Sequence, residues 1–133
     1  MKAFFADTYY YIALLSPSDT AHVRALEVTR SLNGTMVTTA WVLTELADGM
    51  AGAASRQAFV RFYDALRSDP QVSIVPPSQQ LFEEALELYR SRQDKDWSLT
   101  DCTSFVVMKR EGLTEALTGD PHFEQAGFRA SMR

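Results

Sequence analysis

Short apolar runs alternate with longer stretches of helical periodicity, and that alternation predicts an α/β fold: a sandwich around a mainly parallel sheet. The 133 residues contain no internal repeat, low-complexity tract or Gly/Ser-rich linker, so one domain spanning 1–133 is expected around one core. An apolar share of 46% with 23% charged residues is the balance of an ordinary globular protein, not of a disordered or fibrous chain.

The elements follow in order. Residues 3–6 are apolar and read as a buried strand, and residues 8–15 as a helix that Ser16-Pro17-Ser18 breaks. A second helix is expected from about 19 to 32, with Ala21, Ala25, Leu26, Val28 and Leu32 as its apolar stripe. Asn33-Gly34 ends it, and residues 35–38 form the second strand. Thr39 can cap a helix running to Met50, which buries Val42, Leu43, Leu46 and Ala47. Residues 55–67 form another, with Phe59, Phe62, Tyr63 and Leu66 on one side. After the Asp69-Pro70 turn, residues 72–75 read as the third strand. Pro76-Pro77-Ser78 then introduces a helix to about Arg90, with Leu81, Phe82, Ala85, Leu86 and Tyr89 inward. A polar loop, 92–97, leads to a helix over 100–110 that Gly112 stops. Residues 115–118 are the fourth strand and 128–132 a fifth.

Several function classes are excluded. No apolar run approaches the roughly 20 residues of a membrane span, and the apolar start is too brief for a signal peptide. Cys102 is the sole cysteine, so no intrachain disulfide forms, which fits a reducing cytoplasm. The net charge of −4 argues against coating nucleic acid by bulk charge. It leaves a nuclease open, because a bound divalent metal reverses the local field.

Four carboxylates carry the chemical signal. In an open parallel sheet, ligands bind beyond the carboxyl ends of the strands, next to helix N-termini. Asp7 closes the first strand, and Asp120 follows the fourth. Asp101 opens a helix that feeds the fourth strand, so that helix starts at the same edge. Glu45 lies in the second turn of the helix leaving the second strand, facing the same mouth. Four such acids repel one another, and a hard divalent cation such as Mg²⁺ or Mn²⁺ removes the penalty. A site of this kind suits hydrolysis of a phosphodiester. Hydroxyls that can orient water stand beside the acids: Thr8, Ser98, Thr100 and Thr118.

Each acid also has a structural explanation. Asp101 after Ser98 matches a capping box, and Asp120 before Pro121 matches an N-cap with a first-turn proline. Asp7 alone reads as a turn residue and Glu45 as an exposed helix residue. The coincidence of all four favours the site. Asp96 could support the site from outside, although a solvated loop acid is the commoner case; His122 could contact metal or phosphate, although local packing at a helix start is the commoner use; and Cys102 is expected to face the core. Trp97 and the Tyr9-Tyr10-Tyr11 run could stack on bases, although packing is the commoner use of such aromatics.

The sequence resembles the PIN-domain nucleases, and among them the VapC-like toxins of bacterial toxin–antitoxin pairs. The matching pieces are Phe5-Ala6-Asp7-Thr8, Leu43-Thr44-Glu45-Leu46, Trp97-Ser98-Leu99-Thr100-Asp101-Cys102, and Leu117-Thr118-Gly119-Asp120-Pro121-His122-Phe123 before Ala126-Gly127-Phe128. Together they span almost the whole chain. The resemblance implies a three-layer α/β/α sandwich, Mg²⁺ or Mn²⁺ on Asp7, Glu45, Asp101 and Asp120, and cleavage of single-stranded or looped RNA. It also implies a homodimer and a small antitoxin that blocks the active site. Tyr9 departs from the pattern, since similar proteins often carry a small hydroxylated residue there; Pro121 is a second local variation.

Three other readings compete for the same residues. A phosphatase would want a second acid two residues after Asp7, where Tyr9 stands, and a receiver-type phosphoacceptor would want a late lysine that residues 113–133 lack. A housekeeping RNA-processing nuclease and a non-catalytic PIN-like interaction module stay as alternatives within the same fold.

Overall fold

Polar caps set the points at which this chain turns from extended to helical. In the computed structural model, which describes residues 2–133, the order is β1 (Lys2–Ala6), α1 (Thr8–Leu15), α2 (His22–Ser31), β2 (Gly34–Thr39), α3 (Ala40–Gly49) and α4 (Ala53–Ser68). Then come β3 (Val72–Val75), α5 (Gln79–Ser91), α6 (Leu99–Arg110), β4 (Glu115–Leu117), α7 (Pro121–Gln125) and β5 (Arg129–Ala130). Asp7, Thr39, Ser78, Ser98 and Asp120 each accept a backbone N–H at the start of a helix, satisfying donors that have no intrahelical partner. Gly112, at φ 69°, ends α6 in the left-handed conformation that glycine adopts without strain.

The strands form one sheet in the order β3-β2-β1-β4-β5, with every neighbouring pair parallel. Alternation along β1 and β2 shows which helices cover which face. Phe4 lies beside Met36 in register, and Met36 receives the hydroxyl of Tyr11 from α1, whose ring packs edge-on against Phe62 of α4. Phe5 points to the other face, where it meets Phe123 of α7, which in turn packs edge-on against Phe105 of α6. The result is the expected three-layer α/β/α sandwich. The chain crosses from β1 to β3 under one helical layer and returns to β4 and β5 under the other, as right-handed crossovers require. The core is fully sealed at Phe5, Ala6, Leu46, Cys102, Met108 and Phe123.

Three expectations are corrected. The second helix begins at His22, not at 19, because the Asp19 carboxylate accepts the Ala21 N–H at 2.8 Å and holds a turn instead. The last strand pairs as a ladder only at Arg129 and Ala130, although Ser131 and Met132 still donate to Ala116 and Thr118. Tyr89, expected inward, is 48% exposed. Among the described residues no helix is long and apolar enough to cross a membrane.

Candidate active site

The sheet has one topological switch point, between β1 and β4, where successive crossovers leave in opposite directions and open a crevice at the carboxyl ends of the strands. Asp7 enters it directly from β1 and doubles as the cap of α1. Its Oδ2 accepts the Thr118 hydroxyl at 2.8 Å and the Tyr9 N–H at 3.4 Å. The residue is only 5% exposed. Burial therefore pushes its carboxyl up to about 7; the Thr118 hydrogen bond opposes that rise, and the charges of Asp101 and Asp120 add to it.

Thr118 ties two acids together. Its one proton goes to Asp7, and its oxygen accepts the Asp120 N–H at 3.0 Å. Asp120 caps the short helix α7, with Pro121 at its first position, and its Oδ1 accepts the His122 N–H at 2.9 Å. Asp101 forms a complete capping box: its Oδ2 accepts the Ser98 N–H at 3.1 Å, while Ser98 Oγ accepts the Asp101 N–H at 2.9 Å. Burial raises the Asp101 carboxyl, and Asp120 adds to the rise. The capping and active-site readings are thus compatible. In both Asp101 and Asp120 the hydrogen bonds from described residues fall on one oxygen, and the second oxygen takes none.

His122 was expected to pack locally, and here the structure differs. Its Nδ1 lies 2.9 Å from Asp101 Oδ2 and 3.4 Å from Asp120 Oδ1, so the ring bridges two acids that are far apart in sequence. One ligand atom each from Asp101, Asp120 and His122 lies within 4.8 Å of the others. The signal was in the sequence: capping by Asp120 places His122 in the first turn of α7, at the edge where α6 begins.

Glu45 stands apart. It is exposed on α3 and makes no hydrogen bond or ion pair with any described residue. Helix α3 starts at the same sheet edge, capped by Thr39, and packs against α1 and α6, the helices that carry Asp7 at its cap and Asp101. Of the expected hydroxyls, Ser98 is engaged as a cap and Thr118 as a brace. Thr8 Oγ is buried and has no partner among the described residues. Trp97 is packed, edge-on to Phe105 and donating to Gln125, and Tyr10 and Tyr11 are each 1% exposed, so none of the three offers a free ring face. Cys102 faces the core, its thiol pushed up to about 11 by burial and by Asp101. Asp96 is exposed in its loop.

The donor set fits a hard divalent cation. Among the described residues no Lys or Arg forms an ion pair with Asp7, Glu45, Asp101 or Asp120: Lys2 pairs with Glu115, and Lys95 lies nearest Asp94. Close carboxylates with raised protonation values, unused oxygens and an orphaned buried hydroxyl nearby are the features that a cation with oxygen ligands would resolve.

Comparison with known proteins agrees with the fold. The chain is 29% identical over 124 residues to the 23S rRNA-specific endonuclease VapC20 of Mycobacterium tuberculosis, covering 93% of this chain and 94% of that protein. The crystal structure of the same VapC20, described as a sarcin–ricin loop cleaving toxin, superposes with a TM-score of 0.86, covering 94% of this chain and 95% of that one. VapBC2 of Rickettsia felis, solved with a promoter DNA fragment, shares the fold at a TM-score of 0.68 and 15% identity, over 96% of each chain. The PIN domain model matches residues 4–129, and on that match, over a five-stranded parallel sheet with acids at its switch point, the chain belongs to the PIN-domain family.

Proposed function

We propose that this protein is a metal-dependent endoribonuclease that hydrolyses phosphodiester bonds of single-stranded or looped RNA, and that it is the toxin of a toxin–antitoxin pair. The observation that carries the reading is that Thr118 links Asp7 to the Asp120 backbone and His122 links Asp120 to Asp101 at the switch point, with no Lys or Arg paired to these acids among the described residues. The likeness to VapC20 supports the choice of RNA, and a looped segment of ribosomal RNA is the substrate class to test first.

Asp7, Asp101 and Asp120 would hold Mg²⁺ or Mn²⁺, with Glu45 completing the set from α3. When bound, such an ion supplies Lewis acidity toward the phosphate and offsets the repulsion among the acids. The chain's own residues supply order. Thr118 holds the Asp7 carboxylate and the Asp120 backbone in one unit, and His122 fixes the Asp101 oxygen already used in capping. Thr8 brings an uncommitted hydroxyl beside Asp7 that can orient water. The same reading places the protein in the cytoplasm with its substrate, as a homodimer restrained by a small antitoxin protein.

Purified protein incubated with RNA and Mg²⁺ or Mn²⁺ should cleave it; EDTA or Asp7→Asn should abolish the reaction. Conditional expression should arrest growth, and co-expression of the cognate partner should relieve it. Cleavage without arrest would assign a housekeeping nuclease. Absence of cleavage by folded, partner-free protein on total RNA and on ribosomal loops would overturn the nuclease reading.

A further inference from the structure

Gly119 lies between Thr118 and Asp120, in the middle of the acidic crevice, and its backbone does not explain why it is glycine. Among the described residues only Gly112 and Gly127 have positive φ. A Cβ built on Gly119 would meet Tyr9 Cε1 at 2.6 Å, Cζ at 2.6 Å and the hydroxyl oxygen at 2.7 Å, closer than real contacts allow. The tip of the Tyr9 ring therefore lies directly against Gly119, and a methyl group there would displace it. The ring thus bridges from the first turn of α1, where the Tyr9 N–H reaches Asp7 Oδ2, to the segment carrying Asp120.

Tyr9 is nevertheless 41% exposed, whereas its neighbours Tyr10 and Tyr11 are buried at 1%. The tip of its ring lies against Gly119, which precedes Asp120 in the chain, and the residue keeps this partial exposure close to Asp7 in the chain. A partly exposed aromatic ring beside carboxylates of this kind can serve as a stacking platform. Bases stack on aromatic faces with little sequence preference, and a ring already seated loses little conformational freedom on binding.

Resting on the nuclease reading above, we infer that Tyr9 is a substrate-positioning residue whose ring stacks on the RNA base beside the scissile phosphate. The hydroxyl edge rests on Gly119 and the exposed part of the ring receives the base. The acids then meet a phosphate whose neighbouring nucleotide is already oriented.

The test uses full-length protein and mixed-sequence single-stranded RNA carrying 2-aminopurine or an abasic site at successive positions. Binding is followed in the non-cleaving Asp101→Asn background, and KM and kcat in the otherwise wild-type chain. Tyr9→Phe should behave as the parent. Tyr9→Leu should weaken binding about tenfold, raise KM more than it lowers kcat, and lose the fluorescence quench at one position. An abasic site at that position should weaken the parent and leave Tyr9→Leu unchanged. Gly119→Ala should mimic Tyr9→Leu by displacing the ring, and should cost little more in the Tyr9→Leu background. Equal binding by Tyr9→Leu and parent, or losses from Tyr9→Leu and the abasic site that simply add, would overturn the inference while leaving the nuclease intact. Wild-type protein that neither binds nor cuts RNA would instead overturn the nuclease reading itself.

Discussion

Replacing Asp7 by Asn should stabilise the metal-free protein, and the gain should depend on pH. Burial raises the Asp7 carboxyl from 3.8 to about 7 in the folded state. A carboxyl with a raised folded value contributes stability that is fully present below its unfolded value and is lost as pH rises through its folded one. The loss should therefore accumulate between about pH 4 and about pH 7 and be complete near pH 8. At about 1.4 kcal/mol for each pH unit between the two values, the ceiling is about 4 kcal/mol. Relaxation and water entry reduce it, so a gain of about 1–3 kcal/mol is expected for Asp7→Asn at about pH 8. Asparagine can keep both hydrogen bonds, because the Thr118 hydroxyl and the Tyr9 N–H both reach one oxygen, Oδ2, whose place a carbonyl can take. Urea denaturation in EDTA across the pH range measures the difference directly. Excess Mn²⁺ should then stabilise the wild type, by about 2.7 kcal/mol at one hundred times its Kd, and leave Asp7→Asn nearly unmoved. A pH-independent loss of stability in Asp7→Asn would refute the reasoning, since it would make Asp7 an ordinary cap and not an ion waiting for a partner.

Thr118→Val removes the donor to Asp7 and the acceptor of the Asp120 N–H. It should cost about 1–3 kcal/mol in urea, and because the lost bond held the Asp7 value down, the midpoint of Mn²⁺ binding should move to higher pH. Glu45→Gln should change stability by less than about 0.5 kcal/mol, since Glu45 is exposed and unpaired among the described residues. Its cleavage rate and Mn²⁺ affinity should nonetheless fall; unchanged titration curves would remove Glu45 from the metal set. Gly34→Ala should destabilise the sheet by about 1–3 kcal/mol without touching the crevice, because its methyl would overlap the Lys2 carbonyl and press on the Phe4 ring where β1 pairs with β2. Urea midpoints for Gly34→Ala at high and low metal should shift together.

Much of the molecule was legible from residues alone, because the signals are local. Alternating apolar runs announced the strands, and Thr39, Ser78, Ser98 and Asp120 announced helix starts, since a side chain that caps acts within three residues of itself. The parallel sheet then dictated that Asp7 and Asp120 share an edge, as they do beside the β1–β4 pair. Where the local rule had a competitor it failed: Asp19 held a turn instead of opening a helix, and Tyr89 kept helical spacing yet faces solvent.

Sequence by itself thus determined the order of the main elements, the layer architecture and the shared sheet edge of Asp7 and Asp120. It did so because period and capping are properties of neighbours along the chain. Only the tertiary structure decided that Thr118 spends its proton on Asp7, that His122 bridges Asp101 and Asp120, and that Tyr9 rests on Gly119. Thr118 and Asp7 are 111 positions apart and His122 and Asp101 are 21 apart, and the chemistry of these contacts depends on burial and on distances of a few ångströms. Hydrogen bonding and desolvation act through space, so what each of these groups can do was settled only when the sheet closed around them.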